Sequence, residues 1–219
     1  MKILKTIENY RYEFLLFALL QLVFNKALFP DEEIYIQYIW PLNMVLISVA
    51  NYFIFKEKSR KKKNIRNILG FISLLMPFAF LVFKSNVYFY YVLTFFFIIY
   101  YTYIFWEVMY QITLTKEVRL NIVIGSFSGY LLLHMIALFC YIGIDLLLPN
   151  SFLNVNHNEM AKLYNELNYF SLITLTSIGF GDILPTNDSS RLTVSFFGIA
   201  GQFYMVAVVG IIISKFTSK

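Results

Sequence analysis

The chain has 219 residues, 59% hydrophobic, 20% aromatic and only 14% charged, whereas soluble domains carry about 25% charged residues. That balance excludes a soluble enzyme of ordinary composition, and the apolar segments leave no room for a separate soluble domain. The net charge of +5 reads as membrane orientation rather than nucleic-acid binding, because the basic residues flank apolar stretches.

An all-α membrane fold with six spans is predicted. The first is Phe14–Phe29, with Asn25 and Lys26 near its outer end, where a lysine can snorkel. No small-residue cleavage site follows it, so a removable signal peptide is not expected. The second runs from about Ile34 to Phe55 and contains Pro41, which predicts a kinked or interfacial start. The third is Ile65–Phe83, interrupted by Pro77, and the fourth is Val87–Trp106. The fifth covers about Leu120 to Leu148 and holds the lone Cys140, so neither an intrachain disulfide nor a cysteine metal site is possible. The sixth covers about Arg191 to Phe216. Each is near the roughly 20 residues a bilayer core requires, the first marginal and the fifth overlong.

Charge placement fits that count. With both termini cytoplasmic, only Lys26, Lys84, Lys162 and Arg191 fall outside, leaving the other fourteen of the 18 Lys and Arg inside. This is the asymmetry of the positive-inside rule. The basic run Lys56, Lys58, Arg60, Lys61, Lys62, Lys63 and Arg66 reads first as the orientation signal, and secondly as a surface for anionic lipid heads.

The fourth segment carries no charge and twelve aromatic residues between Tyr88 and Trp106. Arginine-based voltage sensing needs several charges in such a helix, so it is not expected here. An aromatic stripe reads as packing or lipid contact. Residues 1–106 thus form a four-helix membrane unit. Residues 107–119 are polar and partly amphipathic, an interfacial or connecting helix, and residues 120–219 form a second unit. His134 is the one group deep in the fifth segment able to titrate near neutral pH; a neutral ring bonded to a hydroxyl or carbonyl is the reading preferred over a pH sensor. Asp145 is placed at the interface, and Asn150–Glu166 reads as an outer turret with His157 and Glu159 solvated.

Leu167–Thr176 predicts a short helix capped by Asn165 or a neighbour, its C-terminal dipole end aimed inward. Ser177-Ile178-Gly179-Phe180-Gly181 then forms a strand that the two glycines allow to twist. Such a strand points the carbonyls of Ser177, Ile178, Gly179 and Phe180 one way, with the Ser177 hydroxyl at the inner end. Rings of carbonyl dipoles replace the hydration shell of a potassium ion, and irregular backbone at membrane depth is tolerated where it is packed in protein or lines a cavity.

The stretch Thr174-Leu175-Thr176-Ser177-Ile178-Gly179-Phe180-Gly181-Asp182 resembles the potassium-channel signature, usually Thr-x-Thr-Thr-Val-Gly-Tyr-Gly-Asp. Thr174, Thr176, Gly179, Gly181 and Asp182 match outright. Ser177 keeps the hydroxyl and Ile178 the β-branch, while Phe180 lacks the phenol that braces the filter in the family. The same change occurs in two-pore-domain potassium channels. The resemblance implies a six-helix prokaryotic type without a cytoplasmic ligand-binding domain. It implies an ion-binding filter at Ser177, Ile178, Gly179, Phe180 and Gly181, supported by Thr174, Thr176 and Asp182. It places Tyr169 and Phe170 in an aromatic cuff, with the Tyr169 hydroxyl in reach of Asp182. It also places a hinge at Gly201, for which close helix packing is the rival reading, Gly198 and Gly210 being on the same helix. Below it Met205, Val209 and Ile213 recur every four residues as an apolar constriction. Pro185 ends the strand, and Asp188 or Ser189 is expected to cap the last helix.

One filter strand per chain implies a homotetramer around one axis. The reading is a potassium-selective channel of the plasma membrane, not an enzyme, with potassium as permeant ion and no cofactor. The alternatives are a weakly selective cation channel and a non-conducting channel subunit.

Overall fold

The computed structural model describes residues 10–55, 60–83, 86–114 and 120–217, with the side chains of 60–62, 209 and 212–217 excepted. Lys56 and Lys58, and the side chains of Arg60, Lys61, Lys62, Val209 and Ile213, therefore lie outside the described residues. The regular elements of the described residues are helical apart from one two-stranded ladder. In order it forms α1 (Arg11–Phe24), a 3-10 turn (Asn25–Leu28), α2 (Glu32–Ile34), a π-helical turn (Tyr35–Ile39), α3 (Trp40–Ile54) and α4 (Arg60–Phe83). Then come α5 (Val87–Leu114), α6 (Leu120–Leu147), β1 (Phe152–Leu153), α7 (Met160–Leu175), β2 (Leu184–Pro185) and α8 (Asp188–Thr217).

Among the described residues, four helices are long and apolar enough to cross a membrane: Lys63–Phe83, Val87–Leu114, Leu120–Leu147 and Asp188–Val208. The first two expected spans are not among them. Phe14–Phe29 divides at Asn25 into a 14-residue α-helix and a 3-10 turn. Ile34–Phe55 has a π-turn before a 15-residue helix. Pro41 lacks the N–H that would close the regular bond to the carbonyl four residues earlier, and the chain widens just before it. Pro77, in contrast, is accommodated inside α4. Polar residues 107–114 do not form a separate helix but continue α5 to Leu114.

The chain divides into two units, Met1–Phe89 with Tyr103–Leu131, and Tyr90–Thr102 with Leu132–Lys219. In the first, Leu15, Leu19 and Leu22 of α1 are buried at helical spacing, as are Met44, Ile47 and Ile54 of α3. α3 contacts both α1 and α4. Several polar side chains of this unit pair with one another: Asn25 and Asn43 exchange amide hydrogen bonds at 2.9 and 3.0 Å, and Tyr35 donates to Asn25 at 3.1 Å. The Ser48 and Ser73 hydroxyls also bond each other. Gln111 donates to the Ile54 carbonyl at 2.9 Å, at the end of α3.

In the second unit the aromatic stripe of α5 resolves into two populations. Phe97 and Tyr101 are buried and stack on Phe139 of α6 at 4.9 and 5.7 Å between centroids. Phe95 stays exposed. Packing holds one side of the helix, and the other is left for lipid or protein.

Candidate functional site

The loop 176–182 is built on the end of α7. This helix starts at Met160, seven residues before the expected Leu167. Asn165 lies inside it and is not its cap. The Asn156 side chain instead accepts the amides of Asn158 and Glu159 at 3.0 and 3.1 Å, while Glu166 accepts the Asn156 amide at 2.6 Å. Two local carboxyl and amide acceptors satisfy the turn that leads into the helix, which lets it begin early.

Its C-terminus is a Schellman closure. The Ser177 amide bonds the Thr174 carbonyl at 3.0 Å and the Ile178 amide bonds the Ile173 carbonyl at 2.9 Å. Ser177 takes the left-handed position, φ 58°, where glycine is usual. The Gly179 amide also turns back to Ile173, at 3.2 Å. Peptide planes are trans, so a carbonyl points opposite to the following N–H. With the amides of 177, 178 and 179 all facing α7, the carbonyls of Thr176, Ser177 and Ile178 face away from it. Gly179 (φ 52°) and Gly181 (φ 79°) continue the alternation begun at Ser177. A Cβ at either glycine would touch nothing within 4 Å, so the backbone angle alone asks for glycine. The whole stretch 176–182 is exposed in the single chain, Ile178 by 55% and Phe180 by 70%.

At the Asp182 end of the loop, Tyr169 donates its phenol to the Asp182 carboxylate at 2.7 Å, and Asn154 donates to the Asp182 carbonyl at 2.7 Å. That carboxylate bond raises the Tyr169 phenol above the ordinary tyrosine value. Asn154 reaches the loop because β1 pairs with β2, Phe152 opposite Pro185 and Leu153 opposite Leu184. Thr186 extends the ladder by donating to the carbonyls of Ser151 and Asn150 at 3.0 and 2.8 Å. Phe170 does not join Tyr169 at the loop. It is buried against Tyr141 of α6 and Phe152 of β1, each 5.6 Å away. Successive residues on a helix point about 100° apart, so Tyr169 and Phe170 cannot serve one surface.

Two acid–imidazole details are added behind the loop. Asp145, expected at the interface, is buried within the chain, accepting the Ser151 amide at 3.0 Å and facing His157 at 2.9 Å. His157 is correspondingly held rather than solvated, its second nitrogen 3.1 Å from the Phe152 carbonyl. Glu159 is exposed and pairs with Lys162. His134 is fully buried and bridges to α7, 3.0 Å from the Ser171 hydroxyl and 2.9 Å from the Asn168 amide oxygen.

The last helix, α8, begins at a cap formed by Asn187, not by Asp188 or Ser189. Asn187 accepts the Ser190 amide at 2.9 Å, and its own amide donates to the Ser190 hydroxyl at 3.2 Å. Farther along, a Cβ on Gly201 would lie 2.7 Å from the Leu175 carbonyl oxygen and 3.1 Å from its Cα. At Gly198 and Gly210 it would meet nothing within 4 Å. The next residue, Gln202, donates to the Ser177 hydroxyl at 2.6 Å. Thr176 turns its hydroxyl to the Leu172 carbonyl at 2.8 Å, and Met205 is exposed. Sequence reasoning misses Gln202, although it is the lone polar side chain amid Phe196–Tyr204. Asn154 carries no signal beyond an asparagine-rich stretch.

Residues 127–218 match the family described as "Ion channel". The chain is also similar to two pore potassium channel b of Oryza sativa subsp. japonica, 43% identical over 66 residues. That similarity covers 29% of this chain and 18% of the relative. No solved structure matches the chain. Composition and four apolar helices make this a membrane protein, and its signature-bearing region is similar to ion-channel sequences, that of a potassium channel among them.

Proposed function

We propose that the chain assembles as a homotetramer and conducts potassium passively through a filter lined by Ser177, Ile178, Gly179 and Phe180, closed outside by Gly181. One observation carries the reading: left-handed φ at Ser177, Gly179 and Gly181, with the amides of 177–179 turned into α7. That leaves carbonyls free on the other side, and oxygen cages need four such strands around one closed axis. α7 is then the re-entrant pore helix, with Thr174 and Thr176 at its inner end. Tyr169 and Asp182 brace the outer mouth, and Phe170 acts indirectly by packing β1.

The helical run from Arg11 to Leu28 and that from Glu32 to Ile54 complete six spans, at roughly 27 and 34 Å by the 1.5 Å rise per residue. Residues 1–106 form the four-helix unit, 107–119 the connection and 120–219 the pore. Both termini are cytoplasmic in the plasma membrane, and the run Lys56–Arg66 orients the chain and meets anionic lipid heads. The stretch Val87–Trp106 of α5 carries no charge, which makes arginine-type voltage gating inoperative. Met205, Val209 and Ile213 form the apolar constriction, while Gly201 serves close packing on Leu175 in place of a hinge.

Reversal potentials of purified protein in bilayers with opposed potassium and sodium gradients test the reading. A potential near the potassium equilibrium value is expected; one near zero supports the weakly selective alternative. That alternative is favoured by Phe180, which offers no hydroxyl to brace the loop.

A further inference from the structure

The contact between Gln202 and Ser177 has no part in the filter described above, yet it joins the last helix directly to the inner end of the loop. It is fixed from two sides. Gly201 brings the α8 backbone against Leu175, where a Cβ would sit 2.7 Å from a carbonyl oxygen. The Schellman closure holds Ser177 in a left-handed conformation through its own amide. Gln202 follows Gly201 directly, so the close approach of the backbones sets the reach of its amide. The result is a 2.6 Å bond with the amide N–H donating and the Ser177 hydroxyl oxygen accepting.

We propose that Gln202 sets the cation affinity of the innermost filter site by holding the Ser177 hydroxyl oxygen with its amide N–H. The inference rests on the conduction reading above. A serine hydroxyl has one hydrogen and two acceptor lone pairs. The Gln202 N–H takes one of those pairs and turns the positive end of its dipole toward the place where a cation would bind. Both effects oppose a cation at that oxygen. Conduction requires binding favourable enough for entry and weak enough for exit, and an amide donor at the inner ring weakens the last site without altering the carbonyl cages above it. Four copies of Gln202 act on one ring. Gln202 is thus a positioning residue that acts on the ion through Ser177.

The test uses full-length protein in liposomes, reading barium inhibition of rubidium uptake for wild type, Gln202→Leu, Ser177→Ala and the double variant. A second reading follows the thermal midpoint of the purified protein as potassium or barium is added, because ion binding to the folded state raises it. Gln202→Leu should lower the half-inhibiting barium concentration by about tenfold, the upper end of what one hydrogen bond contributes. It should steepen the rise of the midpoint with added ion. In the Ser177→Ala background the same change should shift inhibition by less than about twofold, since the bond is already absent. A merely structural role would lower the midpoint without changing its ion dependence. Gln202→Met, unbranched and close in length, replaces Gln202→Leu if the latter fails to assemble. Unchanged or weaker barium inhibition in either variant overturns the proposal, as does an equal shift with and without the serine hydroxyl. Absence of rubidium uptake by wild type overturns the conduction reading instead. The ion dependence of the thermal midpoints then decides the Gln202 proposal separately.

Discussion

The phenol of Tyr169 lies 2.7 Å from the carboxylate of Asp182, thirteen residues on, and joins the pore-helix candidate α7 to the end of the glycine-containing loop. Phe180 cannot supply a hydroxyl, so in the proposed filter this bond is the candidate side-chain brace, beside the Asn154 contact to the Asp182 backbone. Tyr169→Phe removes the donor while keeping the ring. Potassium flux should become shorter-lived, with a larger closed fraction in single-channel recordings, and an unchanged open fraction would argue against bracing. The phenol's raised value also has a sign: the contribution is intact below pH 10.0, the ordinary tyrosine value, and is lost only as the phenol ionises above it.

Gly179 is needed for its angle rather than for space. With φ at 52° and no atom within 4 Å of the place a methyl group would occupy, Gly179→Ala incurs only backbone strain, about 1–2 kcal/mol per copy. The variant should still fold and assemble, by size-exclusion profile, but carry no potassium flux because the carbonyls no longer line up. Normal flux would refute the filter assignment.

Gly201 presents the opposite case. A methyl group there meets the Leu175 backbone at 2.7 Å, which cannot yield as a flexible side chain would. Gly201→Ala should cost about 1–3 kcal/mol per copy by overpacking and lower the thermal midpoint. Gly198→Ala touches nothing within 4 Å and should be neutral or stabilising by up to about 1 kcal/mol. Equal thermal midpoints for the two variants, with gating altered only in Gly201→Ala, would restore the hinge.

His134 connects α6 to α7 through two side-chain bonds inside the second unit. His134→Leu should lower unfolding stability by roughly 1–3 kcal/mol, the cost of leaving buried polar partners without it. His134→Gln, which can still reach one of them, should recover part of the loss. Denaturant midpoints of the purified variants measure both. No difference between them would mean that packing, not hydrogen bonding, holds this position.

Much of the candidate site is legible in the sequence because its determinants are local. Gly179 and Gly181 announce a backbone that ordinary residues avoid, and Thr174–Asp182 carries the family resemblance within nine residues. Ser177 is legible as a candidate ligand but not as the left-handed residue closing α7, since serine has no strong preference for that conformation. The start of α7 is hidden for a related reason: Asn165 is a good cap by type, yet Asn156 with Glu166 satisfies the entering turn first.

The amino-acid sequence by itself determined a membrane protein and a glycine loop of left-handed backbone. These follow from hydropathy and allowed backbone angles, each a property of neighbouring residues. Only the tertiary structure decided that Phe170 packs on β1, that Asp145 and His157 face each other, that Gly201 abuts Leu175 and that Gln202 reaches Ser177. Those facts are distances of a few ångströms between residues far apart along the chain. No local period or composition encodes such distances until the helices have packed.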